Sequence, residues 1–159
     1  MRVAFGCDHA GFPFRPVVQR VLDQLGHEMD DQGCYSPEPC DYPDYALAVA
    51  RRVAAGEADR GVVVCGTGFG SAIAANKVAG IRAATVSEPV GARYAREHND
   101  VNVLALGARL TGPELAAEII RVFLNTEFSG EERHRRRLNK IREAERLAPI
   151  PVPAEEAAS

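Results

Sequence analysis

Apolar positions along this 159-residue chain switch repeatedly between strand-like runs and helical spacing. Arg2–Cys7 is a short apolar run that ends in the loop Asp8-His9-Ala10-Gly11. From Phe14 to Leu25, the residues Val17, Val18, Val21, Leu22 and Leu25 recur at helical spacing. Pro13 and Pro16 suit the entry or first turn of that helix. His27–Asp31 reads as a weak second strand, and Gly33–Tyr42, rich in Gly, Pro, Ser and Cys, as a loop. Asp41 ahead of Pro43 marks a helix start, with Tyr45–Ala55 helical up to a stop at Gly56. Gly61–Cys65 is continuously apolar, as expected at the centre of a parallel sheet. It breaks into Gly66-Thr67-Gly68-Phe69-Gly70-Ser71, followed by a helix through Asn76. Arg82–Val86 and Val101–Leu106 complete the strands. Pro89–Glu97, an amphipathic Pro113–Leu124 and a charged stretch from Gly130 to Arg146 complete the helices. Ala148–Ser159 carries three prolines and reads as a mobile tail.

Five strands alternating with helices predict an α/β fold: a three-layer αβα, Rossmann-like sandwich on a five-stranded parallel sheet, plus a C-terminal helix. By analogy with that class the expected strand order is 2-1-3-4-5. Length and the absence of internal repeats give one domain over residues 1–147, followed by the tail at 148–159. Ligands of such sheets bind at the carboxyl ends of the strands. Asp8-His9, Cys65–Ser71 and Glu88 all follow strands there, whereas His98-Asn99 ends a helix just before one.

Composition narrows the partners. At 46% hydrophobic the chain can bury a sizeable core, and a net charge of -3 with mixed signs gives no global basic surface for nucleic acid or an anionic membrane. No apolar run approaches the ~20 residues of a membrane span, and the N-terminus lacks a signal-peptide stretch, so the expected location is cytoplasmic. Cys7, Cys34, Cys40 and Cys65 form no CxxC pair and no metal spacing. A disulfide framework does not suit a cytosolic chain of this size.

Cys65 has the most suggestive setting. The glycines behind it let the backbone turn sharply and expose its amides at a helix start, which favours negative charge. A cysteine there can act as a thiolate base or nucleophile, and the same amides could hold an oxyanion. Equally, Cys65 could simply pack in a tight strand–helix turn. Gly66-x-Gly68-x-Gly70 misses the dinucleotide fingerprint by one residue, and no phosphate-binding GxxxxGK[ST] loop is present. A cysteine phosphatase needs arginine where Ser71 stands. Taken singly, Asp8-His9 is explained by a capped loop turn, and His98 by a helix C-terminus. Arg133 and Arg137, spaced i,i+4, could clamp a phosphate, yet they also fit a solvated helix face. A short RNA-binding helix at Arg133–Arg137 is a weaker alternative.

The motifs taken together resemble a known family. Phe5-Gly6-Cys7-Asp8-His9-Ala10-Gly11, Asp41-Tyr42-Pro43 and Cys65–Lys77 are similar to segments of the ribose-5-phosphate isomerase B family, which includes galactose-6-phosphate isomerase subunits. Gly80-Ile81-Arg82-Ala83, Arg96-Glu97-His98-Asn99-Asp100, Gly107-Ala108-Arg109 and Arg133-His134 with Arg137 follow in order, so the resemblance spans about residues 1–145. It implies metal-free and cofactor-free interconversion of ribose 5-phosphate and ribulose 5-phosphate, by a homodimer or dimer of dimers whose sites draw on both subunits.

Carried over residue by residue, the resemblance makes Cys65 the base between C2 and C1. One branch of the family has glutamate where Ser71 stands and lacks the cysteine; this chain has the opposite pair. Thr67 supports the thiolate or a substrate hydroxyl, and the amides of Gly66, Gly68, Phe69, Gly70 and Ser71 face the enediolate oxygen. His98 assists ring opening with Asp8 nearby, a role His134 could share. Asn99 binds a hydroxyl, Tyr42 lines the pocket, and His9, Arg109, Arg133 and Arg137 serve the phosphate end. The alternatives are isomerisation of a six-carbon sugar phosphate (allose or galactose 6-phosphate) and a non-catalytic sugar-phosphate-binding module.

Overall fold

A computed structural model describes residues 1–147; the expected tail at 148–159 lies outside the described residues. Strands β1 (Arg2–Cys7), β2 (Glu28–Asp31), β3 (Arg60–Cys65), β4 (Ala83–Thr85) and β5 (Val103–Gly107) form one parallel sheet. Between and after them come α1 (Arg15–Leu25), α2 (Tyr42–Ala54), α3 (Phe69–Ala75), α4 (Pro89–Asn99), α5 (Pro113–Asn125) and α6 (Glu132–Arg146). Phe12–Phe14 makes a single 3-10 turn into α1, and both prolines sit in first turns as expected. Pro43 also lies in a first turn, so α2 starts at Tyr42, a turn earlier than its apolar spacing suggests.

The strand order is β2-β1-β3-β5-β4, not the expected 2-1-3-4-5. Burial explains the exchange. β5 (Val-Leu-Ala-Leu-Gly) is buried along its whole length and takes the interior place. β4 has three residues, none fully buried, and takes the edge, where a short strand leaves few unpaired backbone groups.

Right-handed crossovers then decide which face each helix covers. The steps β2 to β3 and β3 to β4 run one way along the sheet, and β1 to β2 and β4 to β5 run the other. Accordingly α2 packs against α3 on one face, while α1 and α4 both pack against α5 on the opposite face. Side chains alternate to match. Val62, Val64, Leu104 and Leu106 meet Val18, Leu22, Ile120 and Phe123. Val63, Val103 and Ala105 meet the smaller Ala46, Val49, Ala50 and Ala75. Each fully buried Val, Leu, Ile or Phe contributes about 1.5–3 kcal/mol to the fold. Among the described residues no helix is long and apolar enough to cross a membrane.

Two consequences of this topology matter for chemistry. The chain leaves β1 toward β2 and leaves β3 toward β4, in opposite directions, so a crevice opens between the loops after β1 and β3. The crossover helix α4 instead runs back toward the amino edge of the sheet and delivers His98 and Asn99 there, ahead of β5.

The loop after β1 is held tightly against β3. The Asp8 amide donates to the Val64 carbonyl at 3.2 Å. A Cβ at Gly11 would overlap that carbonyl group. Gly11→Ala is therefore expected to destabilise the chain by about 1–3 kcal/mol. In thermal unfolding this reads as a Tm lowered by roughly 3–10 °C, and an unchanged Tm would show that the loop yields.

Candidate active site

β3 ends at Cys65, which is 3% exposed. The turn that follows needs a left-handed residue at position 68, where Gly68 has φ +82°. This conformation aims the Gly68 amide back at the strand end, where it donates to Cys65 Sγ at 3.1 Å. Thr85 Oγ1 donates to the Gly68 carbonyl at 3.1 Å and holds the turn from β4.

The crevice is a cleft of about 350 Å³ lined by Asp8, His9, Ala10, Tyr42, Cys65, Gly66, Thr67, Gly70 and Arg109. Asp8 is buried, and its Oδ1 accepts from the Gly11 amide at 2.9 Å, the capped turn its sequence suggests. His9 is anchored through Nδ1, which accepts from the Cys40 amide at 3.2 Å. The same nitrogen lies 3.3 Å from the Cys40 carbonyl, so the Cys40 backbone fixes the ring in place. The ring of Tyr42 lies directly over Gly70. The Arg109 amide donates to the Gly66 carbonyl at 3.0 Å, and its guanidinium packs across Gly66. The cleft thus gathers a thiol, a carboxylate, an imidazole, a hydroxyl and a guanidinium, a set suited to moving protons on an anionic, hydroxylated ligand.

Of the residues singled out in the sequence, Asp8, His9, Tyr42, Cys65, Gly66, Thr67, Gly70 and Arg109 meet in this cleft. The Gly68 amide serves the sulfur. Phe69 turns its exposed ring to a neighbouring hollow with Leu110 and Thr111, and Ser71 lies on the buried face of α3.

The remaining four lie elsewhere. His98 stacks on Tyr94 with ring centroids 4.8 Å apart and meets buried His134 at 4.5 Å. Ser129 Oγ holds His134 Nδ1 at 2.8 Å. Asn99 lines a hollow beside β4 with Glu88 and Tyr94. Arg133 pairs with Glu131 at 2.8 Å, and Arg137 is exposed on α6. The expected neighbourhood of His98 and Asp8 is not found within one chain. They stand at opposite edges of the sheet, because a crossover helix ends where the next strand begins. The Cys40 amide is the contributor that the sequence did not suggest, since backbone donors carry no residue-type signal.

The family model for Ribose/Galactose Isomerase matches residues 3–141. Ribose-5-phosphate isomerase B of Escherichia coli (strain K12) is 49% identical over 140 residues, covering 88% of this chain and 93% of that protein. Galactose-6-phosphate isomerase subunit LacB of Clostridium acetobutylicum is 44% identical over 128 residues, 80% of this chain and 74% of that one. Among solved structures, type B ribose 5-phosphate isomerase of Trypanosoma brucei superposes with a TM-score of 0.88 at 53% identity, covering 90% of this chain and 97% of that one.

Proposed function

Since this chain belongs to the Ribose/Galactose Isomerase family, and is an isomerase, we propose that it interconverts ribose 5-phosphate and ribulose 5-phosphate with Cys65 as the base. The observation that carries the reading is the Cys65 sulfur, held by the Gly68 amide at the floor of a cleft that also contains Asp8, His9 and Arg109.

In the aldose-to-ketose direction the Cys65 thiolate takes the C2 proton of the opened sugar and returns it to C1, through a cis-enediolate. The charge that develops on oxygen meets the amides of Gly66, Phe69, Gly70 and Ser71, donors whose stabilisation grows along the reaction path. Thr67 supports the thiolate or a substrate hydroxyl. Tyr42 walls the pocket, and His9 and Arg109 face the phosphate end.

The residues at the amino edge complete the site from a second subunit. His98 assists ring opening against Asp8, Asn99 holds a hydroxyl, and Arg133 and Arg137 add guanidiniums to the phosphate. Their separation from Cys65 within one chain supports a homodimer with shared sites. A hollow of about 320 Å³ at the β4 edge, lined by Ile81, Ala84, Val101, Leu138 and Ile141, offers apolar surface for such pairing.

The test is conversion of ribose 5-phosphate by the purified chain with a chelator present, beside allose and galactose 6-phosphates. Turnover of the pentose is expected to dominate. Turnover confined to a six-carbon sugar would move the substrate, and binding without any turnover would make the chain a sugar-phosphate-binding module.

A further inference from the structure

Arg82 of the motif Gly80-Ile81-Arg82-Ala83 and Asp100, which closes Arg96-Glu97-His98-Asn99-Asp100, do not enter the isomerase chemistry. The fold brings them together at the end of α4. His98 and Asn99 stand there, in a last turn whose carbonyls the helix itself cannot pair. The chain supplies partners from outside the helix. Asp100 turns left-handed with φ +45°, the only non-glycine residue among those described to have a positive φ. That turn sends the amides of Asp100 and Val101 back to the carbonyls of Arg96 and Ala95, both at 3.0 Å. Arg82, just before β4, donates through Nε to the carbonyls of Asn99 at 3.1 Å and Asp100 at 2.9 Å. The Asp100 carboxylate is shared by two guanidiniums. Arg82 Nη2 donates to Oδ2 at 2.8 Å, and Nη1 of the buried Arg96 to Oδ1 at 2.9 Å. Arg82 is anchored in turn by Asn102, whose Oδ1 accepts from the Arg82 amide at 2.8 Å and whose amide donates to the Arg82 carbonyl at 3.0 Å.

We propose that Arg82 and Asp100 are positioning residues for the ring-opening step, whose bridge fixes the last turn of α4 and with it the direction in which His98 meets the sugar. The proposal rests on the reading of His98 as the ring-opening residue. A helix stop alone needs only a glycine, which takes the left-handed turn without strain. Aspartate bears that strain and adds what glycine lacks, a carboxylate that ties the helix end to β4. One planar guanidinium holding two carbonyls and a carboxylate oxygen restrains rotation as well as position. The His98 ring registers either motion. It stacks on Tyr94 at 4.8 Å and meets His134 at 4.5 Å, so a twist of the last turn moves it against both.

The choice of substrate separates ring opening from proton transfer. Ribose 5-phosphate is a closed furanose in water and must be opened. Ribulose 5-phosphate, with its C5 oxygen phosphorylated, has no hydroxyl placed to close that ring and arrives open. Arg82→Lys keeps the charge and loses the planar fork; Asp100→Asn keeps the tolerance for the left-handed turn and loses the charge. Each is expected to lower kcat for ribose 5-phosphate by about 10²-fold, the cost of a small misplacement near the chemistry. Exchange of a C1 hydrogen of ribulose 5-phosphate with solvent deuterium, followed by NMR at saturating substrate, should keep its wild-type rate. His98→Ala is the reference and should show the same split. The His98 ring signals, assigned by their loss in His98→Ala, should move in both variants. Equal losses on the two substrates, no loss on either, or unmoved His98 signals overturn the proposal. If a variant fails to fold, Asp100→Gly, which keeps the left-handed turn and removes only the side chain, carries the same expectations. If His98→Ala itself shows no split, the ring-opening reading fails instead, and the His98 signals still decide whether the bridge sets the ring in place.

Discussion

Cys65→Ala is expected to lower kcat by about 10²–10⁴-fold, the usual contribution of a positioned general base, with KM for ribose 5-phosphate nearly unchanged. His9 and Arg109, the proposed phosphate-end groups, are carried on the loops after β1 and β5, and neither depends on the thiol for its position. The lost group accepts one side-chain hydrogen bond, from the Gly68 amide at the cleft floor, and alanine removes a single sulfur atom there, so Tm should move little. Steady-state kinetics gives the split between kcat and KM. Exchange of the C2 hydrogen with solvent deuterium, followed by NMR, isolates the proton-transfer step and should fall with kcat. The competing base within the same cleft is Asp8, the other buried acid there. Wild-type-like exchange by Cys65→Ala would transfer the role to it, and Asp8→Asn would then show the loss in its place.

The parts of the fold that were legible in the sequence are those where one local cause decides. Gly61–Cys65 is apolar without interruption because it is covered on both faces, and the strand, its glycine turn and the position of Cys65 all follow. The strand order was not legible in the same way. It depends on a competition between β4 and β5 for the interior place, which their relative length and burial settle only once both are packed. Arg60 and Arg96 show the same limit. Both are charged residues, yet both are buried. Arg60 donates to the carbonyls of Phe123 and Leu124 at the end of α5, and Arg96 to those of Val101 and Thr126. Nothing in a charged residue type reveals that helix-end carbonyls await it. In the site, the motif residues after β1 and β3 converge because a switch in crossover direction lies between those strands. His98 and Arg137 are motif residues too, but sequence order does not tell which edge of the sheet they reach.

That division between edges makes a second large effect testable. A chain carrying Cys65→Ala and a chain carrying both His98→Ala and Arg137→Ala are each expected to be strongly impaired alone. Mixed by co-expression, they should regain about a quarter of wild-type turnover. In the proposed two-fold dimer each site would draw its cleft from one chain and its amino-edge residues from the other. A mixed dimer therefore collects all three lesions in one site and leaves its second site intact. Random pairing makes about half the dimers mixed, each with one working site of two. If His98 and Arg137 served the cleft of their own chain, every site in the mixture would carry a lesion and no turnover would return. The restored activity should also follow the fraction of mixed dimers, separated by a tag on one chain, and should vanish when either parent is present alone. The distance from Cys65 to His98 across the sheet would then be a property of assembly, with the second subunit bringing the ring-opening histidine to the loop after β1.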